Sequence, residues 1–197
     1  MAFAFAYGSV SGGHMNPAVT IGVLAAGAMR VGEAVGYIVS QPLGGIAGAL
    51  LLRAVLGGPA TGLGMPALAH NLALGATTVT ITPAAGFMIE AVLGFFLVTV
   101  VLSTAVAGRA ASLAPLAIGM TLTFNILMGG ALTGATFNPA LALGPMVAVG
   151  NFHDAWMYMS APLVGAIVAA ILHTALARLA HEGTAAEPRR AAQSPAE

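Results

Sequence analysis

The chain has 197 residues, of which 58% are hydrophobic and 6% are charged, and its mean hydropathy is +0.94. A soluble domain carries about 25% charged residues, so this composition excludes a water-solvated surface and makes the lipid bilayer the solvent. The formal net charge is zero and there is no cysteine, which leaves no electrostatic case for nucleic acid or acidic partners and excludes disulfides and Cys-ligated metals.

Residues 1–9 are apolar but span only ~14 Å as a helix, about half of a ~30 Å hydrocarbon core. No basic segment precedes them, so they do not read as a cleavable signal peptide. A Gly/Ser-rich loop at 10–15 leads into Asn16-Pro17-Ala18, within the pattern G-x-x-x-N-P-A-x-x-x-G over 12–22. Asn is a preferred helix N-cap, and Pro is favoured at the first helical position because its missing N–H would be orphaned there. The helix so started has only about ten apolar residues, or ~15 Å, before Arg30 and Glu33 mark a return to water. The stretch 34–52 contains no Asp, Glu, Lys or Arg and reads as a full span. It includes Pro42, and Gly32/Gly36 and Gly44/Gly48 have the spacing that lets membrane helices approach closely.

The segment 57–82 is rich in Gly, Pro and Thr. It reads as a long loop whose leucines keep it lying on the protein. Further spans are expected at 84–107, interrupted only by Glu90, at 114–132, and at 155–177. Between the last two, Asn138-Pro139-Ala140 repeats the first box inside the same G-x-x-x-N-P-A-x-x-x-G pattern, over 134–144, and starts a second half-helix that ends at Gly150. These elements predict a transmembrane domain over 1–180 and a disordered cytoplasmic tail over 181–197. The fold class is therefore an all-α membrane protein built as an inverted repeat, with two half-helices meeting at the bilayer midplane. The second half reads span, span, half-helix, span. By that symmetry the first half lacks its first helix and part of its second, about 39 residues ahead of Met1. Arg30, Arg109, Arg178, Arg189 and Arg190 fall on one side and Arg53 on the other, which places the five, and the C-terminus, in the cytoplasm.

An Asn that caps its own helix uses its side-chain oxygen on free backbone amides and keeps its NH2 as a fixed donor. Asn16 and Asn138, brought tip to tip, would offer donors to a passing water or small hydroxyl. The positive ends of both helix dipoles would repel cations there. The loops ahead of each box would line the path with backbone carbonyls. No nucleophile–base pair or metal cluster can be assembled from these residues, so no enzyme, cofactor or metal is expected. His70, His153, His173 and His181 have no metal-ligand spacing. A secondary transporter would need more intramembrane acids than Glu90 alone.

With the two boxes, Ser11-Gly12-Gly13-His14 and Thr133-Gly134, the chain resembles the major intrinsic protein (aquaporin and glycerol-facilitator) family over nearly its whole length. The resemblance implies a passive channel for water or small neutral solutes such as glycerol, urea and ammonia, with one pore per subunit of a homotetramer in the plasma membrane. It implies that His14, Gly12, Gly13, Thr136 and Phe137 line the pore. It also implies that Glu90 accepts hydrogen bonds from the box loops and holds their carbonyls toward the pore. The filter positions fall on Ile126, Ala135 and Leu141. The family usually has Arg where Leu141 stands, and glycerol facilitators tend to carry Asp where Ala142 stands. A wider, apolar filter follows, similar to that of some plant vacuolar members of the family. Asn125 neighbours the filter and is expected to bond another helix. The alternative is a truncated, non-conducting member of the same family.

Overall fold

The computed structural model describes residues 1–180 in full and follows the last helix to Ala191, so the tail expected at 181–197 lies outside the fully described residues. Among the described residues, seven α-helices appear in chain order: α1 (Ala2–Ser11), α2 (Pro17–Ala25), α3 (Val31–Val55), α4 (Pro83–Val101), α5 (Ala114–Thr133), α6 (Pro139–Val149) and α7 (Ala155–Ala191). Four of them, counting a π-type turn that extends α4 to Val106, are long and apolar enough to cross a membrane. The two half-helices begin where expected, with Asn16 and Asn138 as N-caps and Pro17 and Pro139 in the first turn.

Glycines set the packing, because apolar helices in lipid associate through close backbone approach rather than through hydrophobic burial. α4 and α7 meet with Gly94 against the Pro162 backbone and Gly165 against the Ala91 backbone. α2 leans on α4 and α7 through Gly22, against Val98 and Ala166, and α3 meets α6 where Gly45 faces Ala140 and Gly144 faces Gly45. This corrects the expectation for α3. Among the described residues of this chain, a Cβ on Gly32, Gly36, Gly44 or Gly48 would meet nothing within 4 Å, and the close approach uses Gly45, because that side of α3 is the one α6 crosses. Gly45→Val should therefore force the α6 backbone away at a cost of about 1–3 kcal/mol, whereas Gly44→Ala should leave stability unchanged. Thermal unfolding in detergent, followed by fluorescence-detected size exclusion, separates the two.

The loop at 57–82 lies on the protein, as its leucines suggest. Leu63, Leu68 and Ile81 are buried, and Ala69 N–H donates to the Leu132 carbonyl at 2.9 Å. It also contains a small antiparallel hairpin, β1 (Leu72–Leu74) and β2 (Thr77–Val79), turned by Gly75 at φ 62°. α3 is the least enclosed span. Only 6% of its most apolar window is buried, against 44% in α4.

Candidate functional site: two asparagine boxes at a cavity floor

Each box is built by its own cap and then tied to the other. Asn16 is extended (φ −147°, ψ 119°), and its Oδ1 accepts from Ala18 N–H at 2.8 Å. Asn138 is extended likewise (φ −148°, ψ 103°), and its Oδ1 accepts from Ala140 N–H at 3.1 Å and Leu141 N–H at 3.3 Å. With the oxygens so used, the amide nitrogens cross over. Asn16 Nδ2 donates to the Phe137 carbonyl at 2.8 Å, and Asn138 Nδ2 donates to the Met15 carbonyl at 3.0 Å. The two helix tips therefore lock each other. The cross-tie takes one amide proton of each Asn and leaves one, a sharper picture than the free NH2 inferred from the caps alone. Pro17, Pro139, Ala18 and Ala140 are buried around the tips.

A cavity of about 860 Å³ is lined by both asparagines. It is walled by α1 and the loop Gly12-Gly13-His14, with Val19, Val23 and Leu97 opposite, and Asn16 and Asn138 both line it. Its lining is mostly apolar, with Ser9, Ser11, His14 and Ser112 as further polar residues. Ile118 and Leu122 of α5 also line it, and Ile126 is the next residue along the same helical stripe.

Glu90 is fully buried, with its carboxylate under the second loop. Oε1 accepts from Thr133 Oγ1 at 2.6 Å and from Thr136 N–H at 3.1 Å, and Oε2 accepts from Phe137 N–H at 2.5 Å. Thr133 Oγ1 also accepts from Ala135 N–H at 3.1 Å. These bonds hold a loop in which Ala135 (φ 43°) and Phe137 (φ 34°) are left-handed, a conformation that non-glycine residues rarely adopt.

The other singled-out residues divide. Gly12 and Gly13 carry the first loop with left-handed backbones, and His14 is half-buried with its ring stacked on Tyr37 at 4.9 Å. Thr136 and Phe137 are buried, and the Phe137 carbonyl is taken by Asn16. The Ala135 methyl is buried and faces the Gly129 backbone, so its side chain is in the core. Ile126 and Leu141 are 55% and 57% exposed. Asn125 is buried and donates to the Leu93 carbonyl at 2.9 Å, the interhelical bond expected of it.

Sequence reading missed the tyrosines. Tyr158 donates to the Thr133 carbonyl at 2.6 Å, and Tyr37 donates to the Ser11 carbonyl. They stand at matching places after the two boxes, so the repeat itself carried the signal. Asn16→Ala should cost about 1 kcal/mol for the lost cap, with the cross-tie to Phe137 lost in addition; a lower unfolding temperature in detergent than that of wild type checks it.

A family model described as "Major intrinsic protein" matches residues 1–173. The chain is 40% identical to the probable aquaporin TIP1-2 of Oryza sativa subsp. japonica over 168 residues, which is 84% of this chain and 62% of that protein. It is 38% identical to aquaporin TIP2-1 of Arabidopsis thaliana, covering 84% of this chain and 63% of that one. The chain thus spans somewhat under two thirds of the length of these relatives. The fold is similar to the X-ray structure of the aquaglyceroporin from Plasmodium falciparum, with a TM-score of 0.69 at 21% identity, covering 85% of this chain and 74% of that chain. Cross-tied Asn-Pro-Ala half-helices among four membrane spans, together with the match over residues 1–173, lead to one conclusion: this integral membrane chain belongs to the major intrinsic protein family.

Proposed function

We propose that the protein is a passive channel, not an enzyme, and that it conducts water and small neutral solutes of the urea, ammonia and glycerol class. The observation that carries this reading is the pair of amide donors, Asn16 Nδ2 and Asn138 Nδ2, in the lining of a mostly apolar cavity. Each has a proton left for a passing oxygen. The two helix N-termini, each worth about half a positive charge, disfavour cations at the same point.

Beyond the Asn pair, Ile126 and Leu141 supply side chains and Ala135 its carbonyl to a filter without a fixed cation. Such a filter has few donors and selects by size. Gly12, Gly13 and His14 line the opposite half of the path, and Thr136 and Phe137 contribute backbone alone. We place the protein in the cell membrane as a homotetramer, with the face bearing Arg30, Arg109 and Arg178 in the cytoplasm. A second reading, a non-conducting member of the same family, draws on the exposure of Ile126 and Leu141, which this chain alone leaves unenclosed. Proteoliposomes shifted into urea or glycerol decide between the readings. Shrinkage followed by solute-driven reswelling faster than in empty liposomes supports the wide filter. Reswelling at the rate of empty liposomes contradicts it.

A further inference from the structure

The filter proposed above holds no charge, yet the half-helix that carries Leu141 has an arginine seated on its far end. Arg53 lies in the last turn of α3. Its Nη1 donates to the Ala148 carbonyl at 2.6 Å, and Ala148 is fully buried in the last turn of α6. The last carbonyls of a helix have no intrahelical donor and together carry about half a negative charge, while the N-terminal end carries about half a positive one. The remaining bonds at this end come from neutral amides: Gly150 N–H and Asn151 N–H both donate to the Met146 carbonyl, at 2.8 Å and 3.1 Å. Arg53 alone adds a full charge there. Among the described residues no carboxylate lies within 4 Å of it, and Asp154, the acid that follows α6, faces His153 Nδ1 at 3.2 Å. Arg30, the cation that follows α2, is instead paired with Glu33 at 2.6 Å. A unit charge outweighs half a charge, so the C-terminal end of α6 is net positive and the half-helix as a whole presents a positive field. Leu141 lies seven residues before Ala148, about 10 Å along the axis. The path between them is packed protein, since Ala142, Gly144, Pro145 and Met146 are buried. A unit charge at about 10 Å and an effective dielectric of about 20 changes the occupancy of a cation by roughly tenfold, and solvent around the exposed Arg53 reduces that to about fivefold.

We infer that Arg53 is a specificity-determining residue acting at a distance: seated on the C-terminal end of α6, it keeps the field at Leu141 positive and so excludes protons and metal cations from a filter without a charge of its own. The inference rests on the reading of Leu141 as a filter residue. It deepens that reading, because selection by size alone does not stop a proton, whereas a positive field does.

The chain has no cysteine, so Leu141→Cys introduces a single thiol, at a site more than half exposed. Only the thiolate is alkylated, so the rate reports the local field. In the full chain in lipid bilayers, at neutral pH and low salt, the uncharged reagent iodoacetamide should alkylate that thiol about fivefold more slowly once Arg53→Met is added. Arg53→Gln, a second charge-removing variant in case the first fails to insert, should slow it to the same degree. Arg53→Lys keeps the charge and should stay within about twofold of the parent. The difference should shrink at about 1 M salt. Equal rates with and without the charge, or an equal loss in Arg53→Lys, overturn the electrostatic role and leave Arg53 as a brace on Ala148. The permeability arm rests on the channel reading. Arg53→Met should raise the ratio of proton leak to water flux in proteoliposomes about fivefold, and adding Leu141→Arg should bring it back to the wild-type value. An unchanged ratio in Arg53→Met overturns the role in exclusion. If wild-type liposomes pass no more water than empty ones, it is the channel reading that fails, and the thiol arm still decides whether Arg53 sets the field at Leu141.

Discussion

Glu90→Leu is expected to reduce water permeability to the level of empty liposomes while the protein remains inserted. The substitution keeps an apolar side chain in a fully buried site, so α4 still packs. It strands the amides of Thr136 and Phe137, which now share the carboxylate, and the Thr133 hydroxyl. Each stranded buried donor costs about 1–3 kcal/mol. The loop has a ready way to relieve that cost. Ala135 and Phe137 are held at φ 43° and φ 34°, and each such residue stores about 1–3 kcal/mol that its surroundings must oppose. Once released, the loop withdraws the Phe137 carbonyl from Asn16 Nδ2 and moves the Asn138 cap. Glu90→Gln should fall between wild type and Glu90→Leu, because one oxygen remains an acceptor and the new NH2 faces a donor. Stopped-flow light scattering at matched protein content measures all three. Full water flux in Glu90→Leu would show that the loop does not depend on the carboxylate.

Leu141→Arg is expected to lower urea and glycerol flux at least about tenfold while water flux stays within about twofold of wild type, the scale at which a bidentate or charged group discriminates among small solutes. Leu141 sits in the first turn of α6, with its N–H on Asn138 Oδ1 and its side chain more than half exposed. A guanidinium there brings five fixed donors and a permanent charge to the proposed filter, whose assigned residues Ile126, Ala135 and Leu141 carry no charge. The backbone needs no change to accept it. A cation beside a helix N-terminus is unfavourable by about 0.3–1 kcal/mol, so a small loss of stability should accompany the gain in selectivity. Reswelling traces in urea give the first number and unfolding in detergent the second. Urea flux equal to wild type in a folded variant would remove Leu141 from the filter.

Much of this was legible in the chain because the strongest signals are local. Asn-Pro at a helix start needs no partner to be read, and both caps form as the tripeptide dictates. The spans follow from the absence of charge, and Glu90 stood out as an acid inside one of them. What required the fold is pairwise. The tip-to-tip exchange between Asn16 and Phe137 and between Asn138 and Met15 joins residues more than 120 positions apart, and no local pattern encodes it. The same is true of α3. Its glycine stripe was visible, but which glycine meets a neighbour depends on where α6 crosses, and that is Gly45. Tyr37 reads as an ordinary residue of an apolar helix until the first loop is seen against it. The hairpin at Leu72–Val79 was hidden because its strands have three residues each, too few for an alternating pattern to show.

The account rests on the two Asn-Pro-Ala tips enclosing a path that water can follow, and one measurement addresses that claim most directly. The full chain is reconstituted in proteoliposomes and given an osmotic step with an impermeant solute, with empty liposomes and Glu90→Leu at equal protein content alongside. The account predicts shrinkage well above the rate of empty liposomes for the wild-type chain and a rate equal to theirs for Glu90→Leu. Wild-type traces that superimpose on those of empty liposomes, with insertion verified, would contradict it.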